Sequence, residues 1–340
     1  MKRVFKKQIL IFSAGLCYNP DSMMKENREA KFYFTDFAMI LATFIWGINL
    51  PVIKVSLREM TPLGFNGIRL TFASLCLIGI VFIIEKNIHI PRSLWKIILV
   101  QSLIGTTIYQ LFFIHGLNFT TATSTSIILA MTPIFVALLS NLVKHEKLSP
   151  IAWTGILLSF IGFYFVISPN INSFKLSTNL KGDLLILGGI LSWAVYTVSA
   201  KPSLEKISPL KFTAITMFIG TVFFLPFSLK SVYIFEWGKI SFIAWSGLIY
   251  SGLFALAISY VIWYSSVKKI GNSKTAIYSN LQPVFAIIFA FIILKEKISF
   301  FQLIGAIIIF TGVYLTRWGD KLFLRSKIKK IINKNISLIF

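Results

Sequence analysis

Arg69 stands alone as a cation inside the apolar stretch "PLGFNGIRLTFASLCLIGIVFII", about seven residues past Pro62. At about 1.5 Å per residue that is roughly 10 Å into a helix. If the stretch crosses a bilayer, the guanidinium costs at least about 2.5–3.5 kcal/mol unless it pairs, faces water or snorkels back toward Pro62. Pairing is hard to arrange, because Asp36, Glu85 and Asp183 all fall near the ends of apolar runs. A buried guanidinium without a carboxylate partner suits an anionic group on a ligand, whose oxygens match its planar fork. Other polar groups share that depth. Asn49 follows Trp46 and Tyr196 follows Trp193, each at i+3, so each pair lies on one helix face. Tyr109, Gln110, Thr132, Tyr260, Asn280 and Gln282 also interrupt apolar runs. Together with Arg69 these are the candidates for lining a substrate cavity, although each of them could instead bond a neighbouring helix or pack in a core.

Catalysis finds little support. His89, His115 and His145 stand apart and offer no metal-ligand spacing. No phosphate-binding glycine loop, dinucleotide fingerprint or nucleophile motif is present. The expectation is therefore no catalytic residue, no metal and no cofactor.

The elements that must position these groups follow from composition. Of 340 residues 56% are apolar and only 14% charged, which points to lipid as the solvent. The formal net charge of +22 is spread as punctuation between apolar runs and as clusters at both ends, the pattern that orients a membrane protein rather than one that grips nucleic acid. Cys17 and Cys76 lie in unlike contexts and form no disulfide framework. On a ruler of about 20 residues per crossing, ten spans are expected, at about 35–56, 62–84, 94–114, 119–143, 150–168, 180–200, 209–229, 240–264, 274–294 and 299–317.

The chain also repeats itself. Trp46/Trp193, Lys54/Lys201, Ser56/Ser203, Pro62/Pro209 and Phe65/Phe212 match at an offset of 147. Pro133/Pro283, Glu146/Glu296, Gly155/Gly305 and Gly162/Gly312 match at 150. Five spans per unit would turn the second copy upside down, and two such units could exchange shapes to open a central site to either side. Pro133 and Pro283 read as cavity-facing kinks, which the polar Thr132, Asn280 and Gln282 favour over plain helix starts. Glu146 and Glu296 read as structural carboxylates that accept backbone N–H groups at the start of the next helix, near Ser149 and Ser299. The glycines, seven apart on one face, suit close packing of the fifth and tenth spans, within the chain or across a homodimer. Trp95, Trp153, Trp237, Trp245, Trp263 and Trp318 lie near span ends and read as an interfacial belt.

Over about residues 36–317 the chain resembles the EamA-like branch of the drug/metabolite transporter superfamily. The resemblance rests on the Trp46 and Trp193 openings and on "TPIFVALLSNLVKHEKLSPIAWTGILLSFIGFYFV" with its partner "QPVFAIIFAFIILKEKISFFQLIGAIIIFTGVYL". It implies an all-α integral membrane protein of ten helices in two inverted five-helix units, a central cavity, and movement of small metabolites, often outward. The expected organisation is a tail at 1–34, repeats at 35–168 and 180–317, and a basic tail at 318–340. The tail "MKRVFKKQILIFSAGLC" reads as a basic cytoplasmic segment rather than a signal peptide, with Met23 or Met24 as alternative starts. With the N-terminus inside, 25 of the 34 Lys and Arg fall on the cytoplasmic side and 8 on the other, which places both termini in the cytoplasm of a plasma membrane, a bacterial inner membrane in particular. The function expected is secondary transport of a small substrate with an anionic group, with export of amino acids or related metabolites foremost. A non-transporting membrane partner or lipid-carrier translocation subunit is the alternative.

Overall fold

The computed structural model describes residues 32–120, 125, 128–146, 148–167, 180–285, 288, 300–301 and 303–318. Every regular element among them is helical. By internal contacts the chain divides into two units, Met1–Ala38 and Met39–Phe340, and the helix packing and the cavity belong to the second.

Six helices are long and apolar enough to cross a membrane. They are α1 (Phe32–Ser56), α2 (Pro62–Ile84), α3 (Arg92–Phe119), α6 (Leu180–Lys206), α7 (Pro209–Tyr233) and α8 (Phe242–Ile270). Between and after them lie α4 (Thr132–Leu142), α5 (Pro150–Ile167), the short α9 (Asn272–Ala276) and α10 (Leu303–Trp318). Large apolar side chains such as Ile83, Phe227, Phe242 and Phe300 are exposed on the outer surface, while Asn66, Arg69, Gln101 and Gln110 are buried. That inside-out distribution belongs to a protein dissolved in lipid. The chain is an integral membrane protein.

Local chemistry starts the helices. Thr61 Oγ1 accepts the Gly64 N–H at 3.3 Å and Pro62 opens α2; Ser208 Oγ accepts the Lys211 N–H at 3.0 Å and Pro209 opens α7. A hydroxyl cap followed by proline satisfies one orphan donor and removes another. Ser241 caps α8 in the same way and also donates to Glu59, whose carboxylate accepts the Ser241 N–H at 2.6 Å. These bonds hold the exposed Glu59 carboxyl below the usual carboxylate range. The repeat mates Lys54 and Lys201 both donate to backbone carbonyls at helix ends, Lys54 to Leu117 and Thr120, Lys201 to His145.

The two halves of the sequence interleave. α2 lies along α7, α3 along α6, and α4 against both α6 and α9. Two glycines show how closely. A Cβ on Gly155 would stand 2.6 Å from the Thr316 backbone nitrogen, and one on Gly162 would stand 2.8 Å from the Gly305 carbonyl oxygen. The faces carrying Gly155, Gly162, Gly305 and Gly312 thus meet within one chain, α5 on α10, and the dimer alternative is not needed to explain them.

Several expected boundaries differ. The third span runs to Phe119 rather than 114, and Thr120 leaves the helix in an extended conformation. The expected fourth span, 119–143, is not one helix: Thr120 is extended, and the helical residues 128–129 end in a turn at Ala130 and Met131 before α4 begins at Thr132. The sixth and eighth spans continue to Lys206 and Ile270. The ninth begins as the short α9 and a 3-10 turn, Ile277–Leu281, and its end from 289 on, like Glu296 and Ser299 after it, lies outside the described residues. Pro133 falls within the first turn of α4, so it is a helix start and not a kink. Pro51 in α1 and Pro226 in α7 do lie inside long helices, and Pro202 stands in the last segment of α6, just past the turn at Ala200. Each lacks the N–H that would bond the carbonyl four residues back.

Candidate functional site

Two stretches of π-helix interrupt the long helices at matching places, Leu103–Ile108 in α3 and Ser251–Ile258 in α8. Such wide turns shift the phase of side chains after them and recur at functional sites. Directly beyond them come Tyr109 and Gln110 in α3, and Tyr260 in α8. All three line one cavity, together with Trp46, Asn49, Arg69, Thr132, Trp193 and Gln282 from the sequence-derived set. The space available to the centres of water-sized spheres is about 70 Å³. A water needs about 10–15 Å³ by that measure, so roughly five waters, or a solute of comparable size, would fill it.

Arg69 sits at the wall, 1% exposed. Its Nη1 donates to Ser251 Oγ at 2.7 Å, and its Nη2 to Asn66 Oδ1 at 2.5 Å and Gln110 Oε1 at 2.9 Å. Gln110 Nε2 in turn donates to the Tyr260 hydroxyl at 3.1 Å. Phe65 underlies the guanidinium, 5.4 Å from its ring centroid. Every partner is neutral, and Nε has none. The charge is held in place and left uncompensated by any carboxylate among the described residues. Snorkelling is ruled out by this geometry, since the side chain ends in a buried network rather than at the helix start.

Trp46, Trp193, Tyr260 and Trp263 form a cluster around the same space. Trp46 meets Trp193 edge to face at 6.4 Å, Tyr260 lies 4.8 Å from Trp193, and Trp263 lies 5.5 Å from both tryptophans. Trp46 is fixed by its indole N–H, which donates to the Ala255 carbonyl at 2.8 Å. That carbonyl lies within the π-helix, whose irregular bonding leaves it available.

Two expected cavity residues do not line it. Tyr196 is buried against Phe212 and Tyr264, with its hydroxyl 2.6 Å from Thr216 Oγ1. A Cβ on Gly105 would fall 2.1 Å from its ring, so the missing side chain at Gly105 is what admits it. Asn280 is buried in the 3-10 turn Ile277–Leu281 and does not reach the cavity; its neighbour Ser279 does. Conversely Trp263, read as part of the interfacial belt, is 0% exposed and lines the cavity. Ser251 escaped notice because serine in an apolar run is common; only its place opposite Arg69 singles it out. Pro283 borders a smaller neighbouring cavity with Gly47 and Gln282.

Glu146 does accept backbone N–H groups, but at α9 instead of at the following helix. Its oxygens take the N–H groups of Asn272 and Ser273, the latter at 3.0 Å. The start of α5 is capped by Ser149, which accepts the Ala152 N–H at 3.2 Å.

The pattern described for the EamA-like transporter family matches this chain twice, over residues 33–168 and 180–318. The chain belongs to the EamA-like transporter family. An uncharacterized transporter of Archaeoglobus fulgidus is 34% identical over 284 residues, covering 83% of this chain and 96% of the relative. The uncharacterized transporter YetK of Bacillus subtilis is 28% identical, covering 82% and 85%. A solved crystal structure shares the fold, with a TM-score of 0.69 at 15% identity over 83% of this chain and 96% of the other. As a family member the protein is a membrane transporter.

Proposed function

We propose that this EamA-family protein is a secondary transporter that carries small metabolites by alternating access, and that it exports amino acids or related compounds. The observation that carries the substrate reading is Arg69: a buried, fixed guanidinium at a small cavity, with neutral partners only and a free Nε–H. A carboxylate on the substrate would supply the missing countercharge. The internal duplication favours solute transport over the lipid-translocation alternative, which suits a shorter chain that opens sideways.

Alternating access is supported by the repeated signals in the sequence. Two units of five helices each, entering the membrane in opposite senses, would meet at the cavity, which draws on Trp46 and Trp193 equally. The matched π-helices put a wide turn beside the cavity in each half, the kind of irregularity that recurs at functional sites. The basic residues orient both termini toward the cytoplasm of a bacterial-type inner membrane.

The test is solute counterflow in vesicles holding the full chain, with amino acids as the first panel. Arg69→Gln should abolish transport while the protein still inserts, and Arg69→Lys should keep only part, because an ammonium cannot reproduce the fork. Uptake and affinity unchanged in well-inserted Arg69→Gln protein would refute the assignment.

A further inference from the structure

A second, larger cavity lies where α4, α6 and α8 end, and it shares no lining residue with the central one. The space there for the centres of water-sized spheres is about 430 Å³, against about 70 Å³ at Arg69. That is room for a metabolite or a lipid headgroup. Lysines from three elements line it: Lys201 in the last segment of α6, Lys268 in the last turn of α8 and Lys274 in α9. Lys201 Nζ donates to the His145 carbonyl at 3.1 Å, and Lys268 Nζ to the Ile207 carbonyl at 3.2 Å. An ammonium has three N–H donors, so each of these two is tethered yet keeps donors to offer. Two carboxylates also border the space. Glu146 has its oxygens on the N–H groups of Asn272 and Ser273, while Glu205 is exposed. Among the described residues, neither Lys201, Lys268 nor Glu205 forms an ion pair.

The repeat shows that the helices do not need these charges in order to fold. At the offset of 150, Asn118 and Ser124 stand in the first half where Lys268 and Lys274 stand in the second. Lys54, the mate of Lys201, spends its ammonium on two carbonyls, whereas Lys201 spends its own on one and borders the cavity. Orienting the chain in a bilayer would account for the face on which the lysines fall. It does not account for their lining one space from three elements, two of them tethered. A phosphate offers several oxygens to donors arriving from several sides, which suits separate point charges; a planar carboxylate is better met by a single fork. Leu148, Leu204, Val267 and Ile270 give the same space an apolar wall. We propose that this cavity binds a phosphate ester, with the phosphate among Lys201, Lys268 and Lys274 and the rest of the molecule against those four side chains. At the ends of membrane-crossing helices, that chemistry is offered by an anionic phospholipid headgroup and by a soluble organic phosphate.

The test is equilibrium binding to the purified, delipidated full chain in neutral detergent, with two probes that share a glycerol phosphate group. Dioctanoyl phosphatidic acid stands for the lipid and glycerol phosphate for the soluble ester; dioctanoyl glycerol, without the phosphate, is the blank. Lys268→Gln and Lys274→Gln should each weaken binding by about tenfold, the loss expected for one charge-assisted contact, and Lys268→Arg should retain it. Lys268 is exposed, so its replacement leaves the fold intact. Lys96→Gln removes the same charge from an exposed position outside the cavity and should leave binding unchanged. Lysine-dependent binding of the lipid alone upholds the site and assigns it to a headgroup. Lysine-dependent binding of glycerol phosphate, with or without the lipid, upholds it for a soluble ester. The proposal is overturned if neither probe binds, if dioctanoyl glycerol binds as tightly as its phosphate, or if Lys268→Gln and Lys274→Gln lose no more than Lys96→Gln.

Discussion

Tyr196 and Thr216 bond each other in a core that Gly105 leaves open, so the Tyr196 hydroxyl has a structural partner and no access to the cavity. Removing it as Tyr196→Phe should cost about 1 kcal/mol of stability, the usual net worth of one hydrogen bond. Thr216 Oγ1 keeps its bond to the Phe212 carbonyl at 2.8 Å, which limits the damage. Transport by Tyr196→Phe should stay within about twofold of wild type, since ring and cavity are separate. Thermal unfolding together with counterflow checks both halves of the expectation; a collapse of transport without loss of stability would return Tyr196 to the site. Arg69→Gln should behave in the opposite way, abolishing transport and leaving insertion intact. The two residues are alike in burial and differ in what they touch.

At the scale of elements, the contact between Glu146 and α9 ties the end of α4 to the beginning of the segment that carries Ser279 and Gln282. Both carboxylate oxygens accept backbone N–H groups, from Asn272 and Ser273. Asn272 Nδ2 adds a bond to Ser140 Oγ at 3.0 Å, so α4 and α9 are joined on two sides. Gly271, at φ +89°, makes the turn from α8 into α9 that presents these N–H groups, and a Cβ there would stand 2.3 Å from Glu146 Oε1. Glu146→Ala should leave two donors without an acceptor, at about 1–3 kcal/mol. Glu146→Gln, which keeps an acceptor oxygen but loses the charge, should cost less. Denaturation in detergent read by tryptophan fluorescence would rank the two; equal stability of Glu146→Ala and wild type would show that the contact adds nothing.

For the whole molecule, orientation is the property most open to a direct check. With 25 Lys and Arg assigned to one side and 8 to the other, the charge asymmetry leads to the expectation of a cytoplasmic C-terminus and of a 170–178 site on the opposite face. Activity reporters fused after Gly319 and within 170–178 should therefore give opposite signals. Equal signals would break the ten-span, two-unit arrangement and with it the alternating-access reading. The family match over 33–168 and again over 180–318 agrees with a chain built from two related halves, and their interleaving makes the cavity a joint product.

Much of the fold and part of the site were readable in the linear chain, for identifiable reasons. Apolar runs of bilayer length, hydroxyl-proline caps at Thr61 and Ser208, and the repeated Trp, Pro and Gly positions are local or periodic signals. Transfer to lipid and helix capping act on such signals without reference to distant residues. Arg69 stood out because charge in a lipid-crossing helix is costly wherever the helix sits. What needed the tertiary structure was the partnership of residues far apart in sequence. Nothing local tells that Ser251 faces Arg69, that Glu146 reaches Asn272 rather than the adjacent helix, or that Trp263 turns inward. The π-helices escaped the sequence reading as well, because a wide turn arises from packing between helices and carries no strong residue signature. Their phase shift, together with the meeting of α2, α3 and α8, decided which polar groups face the cavity. Tyr196 and Asn280 were lost from the site, and Trp263, Ser251 and Ser279 were gained, because side-chain direction in a bundle is set by neighbours that the sequence places far away.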